Sequence, residues 1–244
     1  MSASVLGFKR LVLSQPSSAE SAAARLAAEF AELLGAEWLG LFIEDLGLRY
    51  FSAMPFAREI HTIGGDWRGV EPERFCGDLD LAATRAERRF AEAAGRRFQG
   101  RLQVVRGGGA AALAEFSRAG DILVLRAPTA ADWFAEPQAS LLAAALRSPA
   151  GVLLAPRRLE LPRGGVTALA TRADDPALAA ARAIAEAAGE PLDVIDWRAS
   201  REPRSGQPRL VIATRGEPPN EVAIAIAARW RAPLLSLNRP PGGR

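Results

Sequence analysis

Short apolar runs alternate along this chain with longer stretches in which apolar residues recur every three or four positions. Arg10 to Leu13 is the first short run, and from Ala19 to Leu34 the residues Ala23, Leu26, Ala27, Phe30, Leu33 and Leu34 fall at helical spacing. A strand, a turn at Pro16-Ser17-Ser18 and a helix are therefore predicted. Gly35 ends that helix, because glycine takes the left-handed conformation that closes helices, and Trp38 to Ile43 reads as a second buried strand ending in Glu44-Asp45. A long connection follows. Beyond it the pattern predicts a helix from Pro72 to Arg97, a strand at Leu102 to Val105, a glycine turn, a helix from Ala110 to Ala119 and a strand at Ile122 to Leu125. Helix Ala139 to Leu146 and strand Val152 to Ala155 close this part. Strands that alternate with helices define the α/β class, with a mostly parallel sheet covered on both faces.

After Pro162-Arg163-Gly164-Gly165 the same order restarts: strand Val166 to Ala170, a helix start at Asp174-Asp175-Pro176, and a helix from Ala177 to Ala188 stopped by Gly189. Leu192 to Asp196 then matches Leu39 to Ile43, Leu210 to Ala213 matches Ile122 to Leu125, and Leu234 to Leu237 matches Val152 to Ala155. The spacing predicts two related units, residues 1–158 and 159–244. The second is shorter, since Ala199 to Pro208 cannot hold the helix and strand that fill Pro72 to Val105.

Composition narrows the class. With 244 residues and 49% hydrophobic side chains the chain can bury a substantial core. No apolar run approaches the roughly 20 residues that span a bilayer, and the first residues lack the pattern of a secretory signal, so a cytoplasmic protein without membrane partners is expected. The net charge of +3 comes from 31 basic and 28 acidic residues, and the arginines are interspersed with acids, as at Arg85, Glu87, Arg88 and Arg89. Such dispersal argues against a nucleic-acid partner, which needs a dense basic face. Cys76 is the one cysteine and His61 the one histidine, so neither a disulfide nor a thiolate or multi-histidine metal site is expected. No serine stands in a Gly-x-Ser-x-Gly elbow, and no nucleophile and base are paired in the sequence. The expectation is a non-enzyme without a metal.

The strand from Arg10 leading into a serine-rich turn, and Leu33-Leu34-Gly35-Ala36-Glu37-Trp38-Leu39-Gly40-Leu41-Phe42-Ile43-Glu44-Asp45 after the first helix, resemble the universal stress protein family. The match spans most of the first unit and is looser over the second, which points to a tandem form with a degenerate second domain. The resemblance implies two Rossmann-like units in a pseudo-two-fold arrangement, with Val152 to Ala155 and Leu234 to Leu237 pairing as an internal pseudo-dimer; further homo-oligomerisation stays open. In the ATP-binding branch of that family the fourth strand ends in Gly, two residues, Gly, nine residues, then Gly-Ser or Gly-Thr. Here Leu125 is followed by Arg126, Ala127-Pro128, Thr129, nine residues from Ala130 to Gln138, and Ala139-Ser140. The spacing is kept and all three glycines are replaced, which removes the close backbone approach that a phosphate needs. Gln15 stands where the family's acidic residue would be.

The function implied is thus that of a universal stress protein-like regulatory or binding protein without the usual ATP cofactor. One alternative is a protein that binds a nucleotide or a small anionic ligand through Gln15, Gly107, Arg126, Thr129 and Ser140, with Arg126 gripping the anion or else pairing with Asp132. Another is an enzyme acting on an anionic substrate, which would need a base beside Arg126. Gly107-Gly108-Gly109 reads first as a tight turn, having neither the Lys-Ser or Lys-Thr of a phosphate loop nor dinucleotide spacing; the resemblance makes it a secondary candidate as a border of the nucleotide pocket. The connection from Gly47 to Val70 carries Tyr50, Phe51, Met54, Phe56, Ile60 and Trp67 outside the repeating elements, and Leu48 to Glu59 fits a short helix interrupted at Pro55. It could cover the core, close as a lid over Gln15 and Arg126, or dock a protein partner.

Overall fold

The computed structural model describes residues 7–15, 21–60, 64–94, 100–128, 138–156, 164–199, 202–204 and 206–239. Its first part runs β1 (Arg10–Gln15), α1 (Ser21–Leu34), β2 (Glu37–Glu44), α2 (Leu46–Ser52), β3 (Arg58–Ile60), β4 (Trp67–Gly69), α3 (Pro72–Ala94), β5 (Arg101–Arg106), α4 (Gly109–Phe116), β6 (Asp121–Arg126), α5 (Gln138–Arg147) and β7 (Gly151–Ala155). The second part adds β8 (Val166–Leu169), α6 (Pro176–Ala188), β9 (Leu192–Ile195), β10 (Leu210–Thr214), α7 (Asn220–Arg229) and β11 (Leu234–Leu237).

A nine-stranded sheet carries the order β5-β2-β1-β6-β7-β11-β10-β8-β9. Neighbours are parallel except β7 and β11, which meet antiparallel with Leu234 opposite Leu154 and Ser236 opposite Val152. The strands of the first part thus lie on one side of this junction and those of the second on the other, and the two closing strands find each other within one chain. This pairing removes two sheet edges that would otherwise be open to association.

Alternation along each strand divides the core between the two faces. Leu11, Leu13, Ile122 and Val124 pack with α1 and α6, whereas Val12, Leu123 and Leu125 pack with residues of α4, α5 and α7. Because both faces are covered, the central strands are apolar at almost every position, which is why they read as continuous runs in the sequence. Gly35 and Gly189 close α1 and α6 at φ 60° and 65°, the left-handed backbone that disfavours other residues. The chain between β9 and β10 adds no further strand or helix among the described residues, in keeping with its shortness.

Two stretches differ most from the sequence reading, while the expected end of α3 at Arg97 lies outside the described residues. α4 stops at Phe116 rather than Ala119, because Ser117 takes extended backbone and Asp121 accepts the N–H of Arg118 at 2.9 Å. The long connection holds α2, a turn and the two-stranded β3–β4 ribbon instead of one helix broken at Pro55.

Gly40 on β2 marks a close approach. A Cβ there would stand 2.5 Å from Leu102 Cδ1 and 2.6 Å from the Phe90 ring. Gly40→Ala should lower unfolding free energy by about 1–3 kcal/mol, the usual cost of overpacking, measured by urea denaturation.

Arg215 ties the two parts at the edge where β10 ends and β7 begins. Its guanidinium donates to the carbonyls of Ser148 and Ala150 at 2.7 Å each, no carboxylate among the described residues stands against it, and burial pushes its pKa down. Arg215→Ala strands two carbonyls and should cost about 2–3 kcal/mol in the same denaturation measurement.

Candidate functional site

In parallel α/β sheets, ligands bind beyond the carboxyl ends of the strands. At that edge of the first part stand Gln15 at the end of β1, Glu44 at the end of β2, Arg106 at the end of β5 and Arg126 at the end of β6. Register places Gln15 beside Phe42, Glu44 beside Arg106, and Arg126 beside Ala155.

Glu44 is an acid with only 3% of its surface exposed. Such burial requires compensation. One oxygen accepts from Arg49 Nε, and the other lies 3.4 Å from Arg106 Nε. Arg49 also reaches Asp80 on α3, so this one guanidinium pins α2 against both β2 and α3. The hydrogen bond to Glu44, followed by that to Asp80, raises the Arg49 pKa above its ordinary value. Asp45 begins α2 by accepting the Gly47 N–H at 2.8 Å. The arrangement fills the β2 end of the ligand edge with an internal ion-pair network. The sequence signal for this network is an acid closing the apolar run Trp38 to Ile43, with an arginine five positions on.

The first turn of α4 lies against α5. A Cβ on Gly109 would stand 3.1 Å from Leu141 Cδ1, whereas one on Gly107 or Gly108 would meet nothing within 4 Å. The Gly107 N–H donates to the Glu44 carbonyl at 2.9 Å. The amino end of α4 thus packs on α5, and among the described residues nothing crowds Gly107 or Gly108 at this end, whose dipole favours anions. Arg126 and Ser140 are each half-buried. The side chain of Gln15, all of Thr129 and the expected partner Asp132 lie outside the described residues. Of the expected ligand set, then, Gly107 precedes α4, Ser140 lies in the first turn of α5, and Arg126 ends β6.

The connection from Gly47 to Val70 is anchored at its inner side by Arg49 and by buried Ser52 and Ala57, and the Ser52 hydroxyl donates within α2 to the Arg49 carbonyl at 2.8 Å. On the ribbon, Glu59 accepts from Arg68 of the opposite strand at 2.6 Å and from Arg74 of α3. Those two hydrogen bonds, Arg68's first, hold its carboxyl below the ordinary range against the opposing effect of burial. Ile60 faces Trp67 across the ribbon. The large apolar side chains stay outside: exposure runs from 43% at Phe51 to 70% at Phe56, and includes Leu48, Tyr50, Met54, Ile60 and Trp67. They do not pack over the core, which removes the first of the three expected roles for this segment.

A groove of about 430 Å³ lies elsewhere, between Glu202, Gln207 and the residues Arg229, Trp230 and Arg231. These residues precede β10 and β11, so the groove opens at the amino ends of those strands, opposite the edge used by parallel sheets for ligands. Arg229 is already paired with Glu202 at 2.7 Å. No described helix is long and apolar enough to cross a membrane.

The fold is a mostly parallel, doubly covered α/β sheet of the universal stress protein type. It is similar to the crystal structure of a universal stress protein from Archaeoglobus fulgidus DSM 4304, with a TM-score of 0.67 over 98% of this chain and 100% of that one, at 10% sequence identity. No protein-family model matches the chain. No curated protein matches it either.

Proposed function

We propose that this chain is a universal stress protein-like binding or regulatory protein that works through contacts made by its Gly47–Val70 connection, without ATP turnover. The observation that carries this reading is a segment fixed from within by Arg49, Ser52 and Ala57 while its largest apolar side chains face solvent. Exposed apolar surface on that scale marks an interaction site. Two further features support it: Arg49 and Arg106 already neutralise the buried acid at the β2 end, and Arg126, Thr129 and Ala139 stand where the ATP-binding loop would have glycine. The same reading treats residues 1–158 and 159–244 as related units joined at the β7–β11 pair, and places the protein in the cytoplasm.

A photo-crosslinking residue substituted at Phe56, in cells that produce the chain, tests the reading. The expected result is one or a few discrete adducts. A clean absence of adducts, with the protein folded and abundant, counts against it.

A second reading rests on the open space before Gly107 and the closeness of α4 and α5. A nucleotide or small anion would then be held by the Gly107 turn, Ser140, Arg126, Thr129 and Gln15, with the guanidinium replacing the lost glycine contacts. An enzymatic variant of this reading needs a base near Arg126. Glu44, the described acid at the same sheet edge two strands away, is committed to two arginines.

A further inference from the structure

We infer that the partner received by the α2–β3–β4 surface is a second copy of this chain, so that the protein forms a two-fold dimer through this excursion; the inference rests on the contact reading above. Three observations lead to it.

The first is area. A large apolar side chain offers roughly 150–250 Å², so the exposed fractions between Leu48 and Trp67 leave on the order of 800 Å² open. That is of the order of the roughly 800 Å² each partner buries in a stable interface.

The second is charge. Exposed Arg58 shares the excursion and its flank with exposed Asp66, Glu71 and Glu73. A surface with one sign would ask for a partner of the other sign, whereas a surface carrying both complements itself when a two-fold axis brings each sign opposite the other.

The third is the ribbon. β3 and β4 pair only with each other among the described residues, so each strand keeps an open edge, and every described residue from 64 to 69 is exposed. An isolated two-stranded ribbon is marginal in water, and an open edge is a template for another strand. Antiparallel pairing of two ribbons would satisfy those edges and bring the apolar side chains of both copies together.

Sedimentation velocity on the full chain tests the inference. An interface of this size supports micromolar or tighter association, so a dimer is expected at about 50 μM. Trp67→Glu, and separately Phe56→Glu, should weaken dimerisation by about 30-fold or more, as for a central interface aromatic, while the far-UV circular dichroism of the folded chain stays unchanged. A wild-type chain that sediments as a monomer overturns the inference, and so does a dimer untouched by either variant. The Phe56 photo-crosslink separates the two levels of the argument. Self-adducts together with a dimer support both. A monomer with adducts to a different protein overturns the second copy and leaves the contact reading intact. A monomer without adducts overturns both.

Discussion

Asp121→Asn lowers the unfolding free energy by about 3–5 kcal/mol, the range for removing one member of a buried ion pair. Asp121 is only 2% exposed and accepts from Arg10 through both oxygens, Nε at 2.9 Å and Nη2 at 2.6 Å. It also takes the Arg118 N–H, while Arg10 donates further to the Phe116 carbonyl at 3.2 Å. Donation to Asp121 raises the Arg10 pKa, so the guanidinium stays charged and would be left without its counter-ion. The pair joins the amino ends of β1 and β6, whose carboxyl ends carry Gln15 and Arg126. Urea denaturation followed by circular dichroism measures the effect. An Arg10→Met, Asp121→Leu double variant should lose less than the single one, since two apolar groups leave no charge stranded. A single-variant loss below about 1 kcal/mol would show the pair to be solvent-screened.

Trp38→Ala should cost about 3–5 kcal/mol by the same measurement. Trp38 is 1% exposed on β2, and its ring centre lies 4.3 Å from that of Phe90 on α3 at an angle of 39°. The loss combines the transfer of a large aromatic surface, a cavity between strand and helix, and the ring contact itself. It also loosens α3, which holds Asp80 against Arg49. Trp38→Phe keeps most of the volume and should recover more than half of the loss. A small effect for Trp38→Ala would mean that α3 collapses onto β2, which the close approach of Phe90 and Leu102 to Gly40 resists.

The central strands were legible because burial on both faces makes them nearly continuous apolar runs, and α1 and α6 because their apolar stripes end at glycine. The α2–β3–β4 excursion was not. Its strands are Arg58-Glu59-Ile60 and Trp67-Arg68-Gly69, too short for a period of two to show, and they are held by Glu59, Arg68 and Arg74 through pairs distant in sequence. Glu44 followed the same rule, since its burial depends on Arg49 and Arg106 converging only after β2 and β5 pair. Arg215 gave no sequence signal either, because its partners are backbone carbonyls more than sixty positions away. For the candidate ligand residues, spacing located the loop after β6 and the start of α5, whereas the approach of α4 to α5 at Gly109 and Leu141 is a tertiary contact.

Calorimetric titration with ATP, ADP, AMP and cyclic AMP, on the wild type and on Arg126→Ala, decides whether this chain works with a nucleotide. Contact-mediated function without a nucleotide predicts no binding heat at millimolar ligand for either protein. Saturable binding by the wild type that disappears in Arg126→Ala would contradict it and make the edge formed by Gly107, Arg126 and Ser140 a nucleotide site.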